Sequence, residues 1–238
     1  MLTLFFVNEL STAGTQEIDE EDAHHAVKVL RLNIGEEIKI SDGKGNWVSG
    51  PIAQISKKAL QISIAERGKE SINKPELILV QAITKSDRSR EMLELITAAG
   101  VDQVIPWQAE RSISKWQDDS ERKWLATIKE SCKQSRRVRV PSLRKIMNTP
   151  SLSKEINSKN LGLVFHESSE IKFAETQISS NLDAIYLIIG PEGGITDNEL
   201  AIFQSSGSMI VRLGPTVLRS AHAGFAALSA VQTKLGRW

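Results

Sequence analysis

The chain has 238 residues, a net charge of +1, and contents of 40% hydrophobic and 25% charged residues, as in globular proteins that dissolve in water. It has no apolar stretch long enough to span a bilayer, no signal-peptide pattern, and a single cysteine, Cys132, which excludes an internal disulfide. We therefore expect a cytoplasmic protein, bound neither to a membrane nor to a metal. Any binding of nucleic acid must come from local clusters of basic residues.

The first 70 residues have the pattern of a small β-barrel. The turn Asp42–Gly45 between two short strands is typical of a hairpin. Apolar residues at helical spacing predict one helix over residues 22–32. Residues 67–75 are polar and lack a strand pattern, so they are interpreted as a linker. The predicted strands are Leu2–Val7, Glu37–Ser41, Trp47–Ile55 and Leu60–Ala65.

From Glu76 onward, strands alternate with helices, which predicts an α/β domain with a mainly parallel sheet over residues 76–238. The continuous apolar run Leu77–Ile83 is typical of a strand buried on both faces. The capping box Thr196–Glu199 predicts the start of a helix that ends at Gly207. Further helices are predicted over 86–99, around 124–132 and over 221–235, and further strands over 104–105, 161–165, 185–189 and 209–213.

Two glycine-proline turns follow the last two predicted strands. They are Gly190–Gly194, with the sequence Gly-Pro-Glu-Gly-Gly, and Leu213–Pro215, with the sequence Leu-Gly-Pro. Parallel strands end at one edge of a sheet, so we expect the turns to lie side by side and form a ligand crevice. Their glycines let backbone groups approach a ligand closely. Because Walker, dinucleotide, hydrolase-elbow and zinc-peptidase motifs are absent, the ligand is predicted to be of another kind.

Segments along the whole chain carry a family resemblance. They are His25–Arg31, Asp42–Gly45, Ala99–Asp102, Glu110–Ser112, Lys133–Arg136 and the two glycine-proline turns. The chain resembles the RsmE family of the SPOUT class of RNA methyltransferases, which methylates N3 of a uridine in 16S ribosomal RNA of the small subunit. The resemblance implies a PUA-like RNA-binding barrel over 1–70, a SPOUT domain with a trefoil knot over 76–238, a homodimer, and S-adenosylmethionine as methyl donor.

The two turns are the predicted cofactor site. Adenine needs a flat apolar slot and backbone hydrogen bonds, which the side chains and backbone of these turns supply. A sulfonium methyl donor needs no metal. The predicted cofactor-binding residues are Ile189, Gly190, Pro191, Gly193, Gly194, Leu213, Gly214, Val217 and Leu218.

Methylation of uracil N3 requires removal of its proton or stabilisation of the resulting anion. We predict that Arg219 holds the uracil oxygens; the alternative is a surface arginine at a helix start. Glu192 either orients substrate or cofactor, or only interacts with a helix N-terminus. This chain has Ala98 and Ala221 where the family usually has glutamate. His222 is then the titratable group nearest to position 221, and it is either the base or an ordinary helix residue.

Basic residues in three segments predict phosphate binding; the alternative is a solvated surface. Trp107 and Trp116 either stack on bases or belong to the core. The predicted partner is ribosomal RNA or the small ribosomal subunit. The predicted substrate-binding residues are Lys28, Arg31, Lys85, Arg88, Arg111, Arg136 and Arg137.

Two other functions remain open at this point. One is ribose 2′-O or other-base methylation on the same cofactor platform. The other is a non-catalytic role in RNA binding or ribosome assembly, which the alanines at positions 98 and 221 favour and the intact glycine turns oppose.

Overall fold

A computed structural model describes residues 2–56, 59–84, 86–179 and 181–238, with residue 86 described by its backbone alone. The chain divides into two compact units. The first contains residues up to Ser71 together with Lys129–Val140, and the second contains Ile72–Ile128 and Pro141–Trp238. The sequence-based division differs in one respect, since it places residues 129–140 in the second domain.

The first unit is built on a curled sheet of six strands, mostly antiparallel. Its strands are β1 (Thr3–Phe6), β2 (Thr15–Ile18), β3 (Glu37–Ser41), β4 (Asn46–Ile55), β5 (Leu60–Ser63) and β6 (Glu66–Lys69). The order is β1-β3-β4-β5-β2, and β6 also pairs with β4. Alternating apolar side chains of β3 and β5, Ile38, Ile40, Leu60 and Ile62, fill the core with no exposed surface.

The predicted linker at residues 67–75 is wrong for its first residues, because β6 covers Glu66–Lys69. This strand is polar and mostly exposed, so it carries no hydrophobic pattern. Backbone pairing with β4 holds it in place. Gly68 crosses the indole of Trp47 so closely that a Cβ there would lie 2.3 Å from the ring.

The predicted helix over 22–32 differs in extent and type. Helix α1 (Glu20–His24) is capped by Asp19 and continues as one π-helical stretch, His25–Val29. Arg31, just after this stretch, has a φ of +58°, which is unusual for a residue with a side chain.

The second unit is an α/β fold, as predicted, with an entirely parallel six-stranded sheet. Its strands are β7 (Glu76–Ala82), β8 (Gln103–Trp107), β9 (Ser142–Leu143), β10 (Asn160–Phe165), β11 (Ala184–Ile189) and β12 (Met209–Val211). The order is β12-β10-β11-β7-β8-β9. All six residues of the central strand β11 are buried, which explains its unbroken apolar sequence.

Five α-helices accompany this sheet in the part of the chain that the structure describes, besides a short 3₁₀ helix over Phe173–Glu175. They are α2 (Ser86–Ala98), α3 (Ser120–Ser135), α4 (Thr149–Ser153), α5 (Asp197–Ser205) and α6 (Ser220–Lys234), and the last residues of α3 belong to the first unit. No helix among the described residues combines the length and the apolar character that crossing a bilayer requires.

Candidate functional site

The turn after β12 borders a cavity of about 270 Å³ at the carboxyl edge of the sheet. The predicted residues Leu213, Gly214, Val217 and Leu218 all line it. Val217 is 77% exposed and Leu218 43% exposed, and apolar side chains left open beside a cavity are typical of a ligand site. A Cβ on Gly214 would meet no atom within 4 Å, so the backbone there faces open space.

The neighbouring strand β10 supplies part of this cavity, which the sequence analysis missed. Phe165 ends β10, and His166 and Glu167 follow it directly. The rule that led to the glycine turns, that ligands bind where parallel strands end, applies equally to these residues. Arg212 and Thr216 also line the cavity.

The two glycine-proline turns follow strands that are not neighbours in the sheet, which the sequence analysis did not anticipate. They follow β11 and β12, and β10 lies between these two strands. Strands that are consecutive in the chain need not be neighbours in a sheet. As a result, none of the predicted cofactor residues from Ile189 to Gly194 lines the 270 Å³ cavity.

The turn after β11 is closely packed. A Cβ on Gly190 would lie 2.6 Å from Cγ1 of Ile195, and a Cβ on Gly193 would lie 3.1 Å from Cβ of Arg111. Gly194 has a φ of +77°, which favours glycine. Arg111 also donates a hydrogen bond of 3.3 Å from Nη1 to the Gly193 carbonyl. These glycines therefore allow the turn to fold tightly against Arg111.

A buried hydroxyl links the two turns. Ser220, the first residue of α6, donates a hydrogen bond of 2.6 Å to the carbonyl of Gly190. It accepts one of 2.9 Å from Nε2 of Gln81 on β7. Gln81 is fully buried, and its Oε1 has no hydrogen-bond partner among the described residues. The first turn is thus tied to the start of the helix that follows the second.

Glu192 lies at the tip of the first turn and forms an ion pair with Arg88 of α2, with 2.9 Å between Oε1 and Nη1. Arg88 and Glu192 follow β7 and β11, which are adjacent strands. The N-terminus of α5 is capped by Thr196 and Glu199 instead, as the capping box predicts. Glu192 therefore pairs with Arg88, which follows the adjacent strand, and takes no part in capping α5.

Glu199 is a fully buried carboxylate that fixes the segment after the first turn. It accepts hydrogen bonds from the Glu110 amide at 3.1 Å and from the Thr149 hydroxyl at 2.8 Å. Its other oxygen accepts from the amide and hydroxyl of Thr196. Trp107 Nε1 donates to Thr149 at 3.0 Å, and this tryptophan has no exposed surface, so it belongs to the core and cannot stack on a base.

Arg219 and His222 lie at the start of α6. Arg219 is the exposed N-cap residue, and its side chain makes no capping hydrogen bond. His222 Nε2 lies 3.0 Å from Oε1 of Glu91 on α2, and both side chains are about half exposed. Ala221 is 2% exposed, so positions 221 and 222 present their side chains to different surroundings.

The predicted substrate-binding residues are divided between the two units. Lys28, Arg31, Arg136 and Arg137 belong to the first, and Arg88 and Arg111 belong to the second. Lys85 lies outside the described residues. Within the described ranges, no three histidine, cysteine, aspartate or glutamate side chains are grouped closely enough to hold a metal ion.

Comparisons with known proteins agree over the whole chain. A family model described as an RNA methyltransferase domain matches residues 71–232, and one described as an RNA methyltransferase PUA domain matches residues 18–65. The ribosomal RNA small subunit methyltransferase E of Mycobacterium tuberculosis is 33% identical, with 99% of this chain and 93% of that protein covered. The Bacillus subtilis protein of the same name is 28% identical, with coverages of 96% and 94%.

Solved structures give the same result. The crystal structure of a ribosomal RNA small subunit methyltransferase E from Neisseria gonorrhoeae, bound to S-adenosylmethionine, matches with a TM-score of 0.85, 26% identity and 98% coverage of both chains. A protein from Legionella pneumophila, solved in complex with the same cofactor, matches with the same three values. The family models and the full-length relatives together show that this chain belongs to the ribosomal RNA small subunit methyltransferase E family of RNA methyltransferases.

Proposed function

We propose that this chain transfers a methyl group from S-adenosylmethionine to N3 of a uridine in 16S ribosomal RNA. The observation that carries the proposal is the cavity beside Gly214, where exposed apolar side chains and open backbone lie at the carboxyl edge of a parallel sheet. Membership of the family supports the reaction, and the S-adenosylmethionine bound in two matching structures supports the methyl donor.

The residues around the cavity fit this cofactor. Leu213, Val217 and Leu218 offer apolar surface for an adenine ring, and the backbone at Gly214 is open for hydrogen bonds to its edge. Glu167 offers a carboxylate to hydroxyl or cationic groups. The volume of about 270 Å³ is close to the lower end of the range for small-molecule sites, about 300 Å³. The bound cofactor supplies a methyl group activated by a positively charged sulfur.

The turn after β11 completes the proposed cofactor site. Ile189, Gly190, Pro191, Gly193 and Gly194 are proposed to contact the cofactor through their backbone. The hydrogen bond from Ser220 to Gly190 fixes the position of this turn relative to α6, which supports a shared role for the two turns.

The proposed chemistry uses the residues at the start of α6. Arg219 holds the uracil oxygens while negative charge develops on the ring, and its exposed guanidinium next to the cavity residue Leu218 supports this role. His222 accepts the N3 proton, and Glu91 orients its imidazole. Glu192, held by Arg88, positions the substrate.

We propose that Lys28, Arg31, Lys85, Arg88, Arg111, Arg136 and Arg137 contact the RNA backbone. The trefoil knot, the homodimer, the cytoplasmic location and the domain division at residues 70–76 are also part of the proposal. Sedimentation of the purified chain tests the dimer.

Methyl transfer from labelled S-adenosylmethionine to small ribosomal subunits that lack their own modification tests the reaction. After digestion to nucleosides, the expected product is 3-methyluridine. A 2′-O-methylated or other methylated nucleoside would support S-adenosylmethionine as the cofactor but would show that the methylated atom is not N3 of uridine. If no transfer occurs while the cofactor binds and a known enzyme is active on the same subunits, a non-catalytic role follows.

The substitution Gly214→Val tests the cavity. Because a Cβ on Gly214 meets nothing within 4 Å, the new side chain should enter the cavity without straining the fold. We expect the affinity for S-adenosylmethionine, measured by titration calorimetry, to fall at least about tenfold with an unchanged melting temperature. Gly14→Val is the matched control, since Gly14 is equally open and lies in the first unit. Equal affinities for the two variants would contradict the placement of the cofactor.

A further inference from the structure

A second cavity in the second unit is larger than the one beside Gly214 and has no role in the proposed reaction. Its volume is about 560 Å³, and it lies between the start of α2, residues 114–117 and the N-terminal half of α3. We call it the tryptophan cleft and define it by Arg90, Lys115, Trp116, Arg122, Lys123 and Trp124.

Two tryptophans form one wall of the tryptophan cleft. Trp124 is 7% exposed and is anchored in α3, whereas Trp116 is only partly buried. Their ring centroids lie 5.0 Å apart with an angle of 74° between the planes, the edge-to-face geometry that aromatic pairs prefer. Trp124 thus holds Trp116 in place while part of its surface stays accessible. Indole rings held in this way are stacking platforms for unpaired bases.

The charged residues of the tryptophan cleft favour an anion. Four basic side chains line it, against the two carboxylates of Asp87 and Asp119. Arg90 pairs with Glu94 at 2.9 Å and Lys123 pairs with Asp119 at 2.6 Å, but these pairs are largely exposed and therefore weak. Lys115 and Arg122 are exposed at the cleft. Aromatic surface beside several cations is the combination that recognises a base together with its phosphates.

The tryptophan cleft lies close to the turn after β11. Thr84 and Ile83, which line it, directly follow β7 at the carboxyl edge of the sheet. In the first turn of α2, Asp87, Ser89 and Arg90 line the cleft, while Arg88 forms the ion pair with Glu192. The start of α2 therefore contributes residues both to the cleft and to the ion pair with the turn after β11.

We propose that the tryptophan cleft binds an unpaired nucleotide of the substrate RNA other than the methylated uridine. The base stacks on Trp116, and the adjoining phosphates contact Lys115 and Arg122. This inference rests on the proposed function, since it takes an RNA as the substrate of the same site.

The test compares Trp116→Ala with Trp238→Ala, which removes an exposed tryptophan that does not line the cleft. The measurement is the affinity for a fluorescently labelled single-stranded fragment of 16S ribosomal RNA, followed by anisotropy. Loss of one stacked base should weaken binding of the Trp116→Ala variant about tenfold. Trp238→Ala should bind as the unsubstituted chain does. Both variants should retain their affinity for S-adenosylmethionine, which shows that the second unit is folded.

A charge-reversal variant provides a second test that leaves the tryptophan pair intact. Replacement of Lys115 and Arg122 by glutamate removes two exposed cations, so folding should be unaffected while RNA affinity falls and depends less steeply on salt. Trp116→Phe keeps an aromatic ring and should retain most of the affinity.

RNA affinity that is unchanged in both Trp116→Ala and the charge-reversal variant would overturn the proposal. So would loss of self-association in these variants, measured by sedimentation without RNA, because the tryptophan cleft would then be an interface between copies of the chain. A failure of the proposed function can be distinguished from a failure of this inference. If the unsubstituted chain transfers no methyl group but the cleft variants still lose RNA affinity, only the methylation is refuted.

Discussion

At the residue scale, Ser220 has the most consequential contacts. Its hydroxyl joins the carbonyl of Gly190, the amide of Gln81 and the start of α6 in a buried place. The hydrogen bonds of Ser220 fix the position of the turn after β11 relative to Arg219.

We predict that Ser220→Ala lowers the free energy of unfolding by about 1–3 kcal/mol, because the Gly190 carbonyl loses its hydroxyl donor and the buried Gln81 amide keeps only its bond to the Ala82 carbonyl. Urea unfolding measures this change. Ser205→Ala is the control, since Ser205 is exposed and only bonds a carbonyl of its own helix. The control should change stability by less than about 0.5 kcal/mol. Similar small effects for both substitutions would show that the Ser220 hydroxyl contributes little.

At the element scale, the N-terminus of α5 depends on one carboxylate. Glu199 closes the capping box with Thr196 and also binds the Glu110 amide and the Thr149 hydroxyl. Every one of these groups donates a hydrogen bond to it. The start of α5, the segment after β8 and the start of α4 are therefore held together by a single acceptor group.

Glu199→Gln should destabilise the chain although it preserves size and shape. The amide NH₂ group would face groups that are themselves donors, at a cost of about 1–3 kcal/mol. We expect a melting temperature lower by several degrees, measured by calorimetry. Glu175→Gln, which alters an exposed pair with Lys172, is the matched control and should leave the melting temperature nearly unchanged. A normal melting temperature for Glu199→Gln would contradict the role given to this acceptor.

The sequence predicts those elements whose signals are local. The apolar runs of β7 and β11 and the capping box of α5 are visible in short windows, and all three exist in the structure. Strands β2 and β6 were not predicted, because β6 is polar and exposed and β2 has only four residues. Such strands are stabilised by pairing with distant strands, which short windows do not contain.

The same distinction applies to the candidate site. The turn from Leu213 to Leu218 could be predicted to border a cavity, since a glycine-proline turn after an apolar run is a local pattern. The order of the strands is not local, so the place of β10 and the contribution of Glu167 were missed. Ser220 bonds Gln81 across 139 positions, and nothing in either local sequence indicates that contact.

At the scale of the whole molecule, the first unit is discontinuous in sequence. Residues 129–140 complete it. The Ser41 hydroxyl donates to the Val138 carbonyl at 2.6 Å, and Lys133 forms an ion pair of 2.8 Å with Asp22. A fragment that ends at Ser71 lacks these contacts, so the barrel as described requires a segment from much later in the chain.

The reactivity of the single thiol, Cys132, shows whether residues 129–140 are packed in the first unit. Burial raises its pKa from 9.0 to about 11, and the charge of Arg137 offsets only part of that rise. The native thiol should therefore react with a disulfide reagent at pH 8 far more slowly than the unfolded chain does. The protonated thiol is favoured in the folded state. The contribution of the protonated Cys132 thiol to the free energy of unfolding is thus complete below pH 9 and is lost as the pH rises through about 11.

Comparison with Cys132→Ala isolates the pH effect. The difference in urea midpoint between the two proteins should be constant below pH 9 and should change above it, to the disadvantage of the chain that carries the thiol. Equal rates of thiol modification in native and unfolded chains would show that residues 129–140 are not stably packed.

The order of the strands also has a consequence for synthesis of the chain. Leu79 in β7 pairs with Leu187 in β11, so the two central strands are separated by roughly half of the sequence. A ribosome that adds about 5–20 residues per second needs roughly 5–20 s to produce the residues between them. For that time β7, with six of its seven residues destined for burial, has no β11 beside it. The nascent chain must therefore shelter an apolar strand while its neighbour is still being translated.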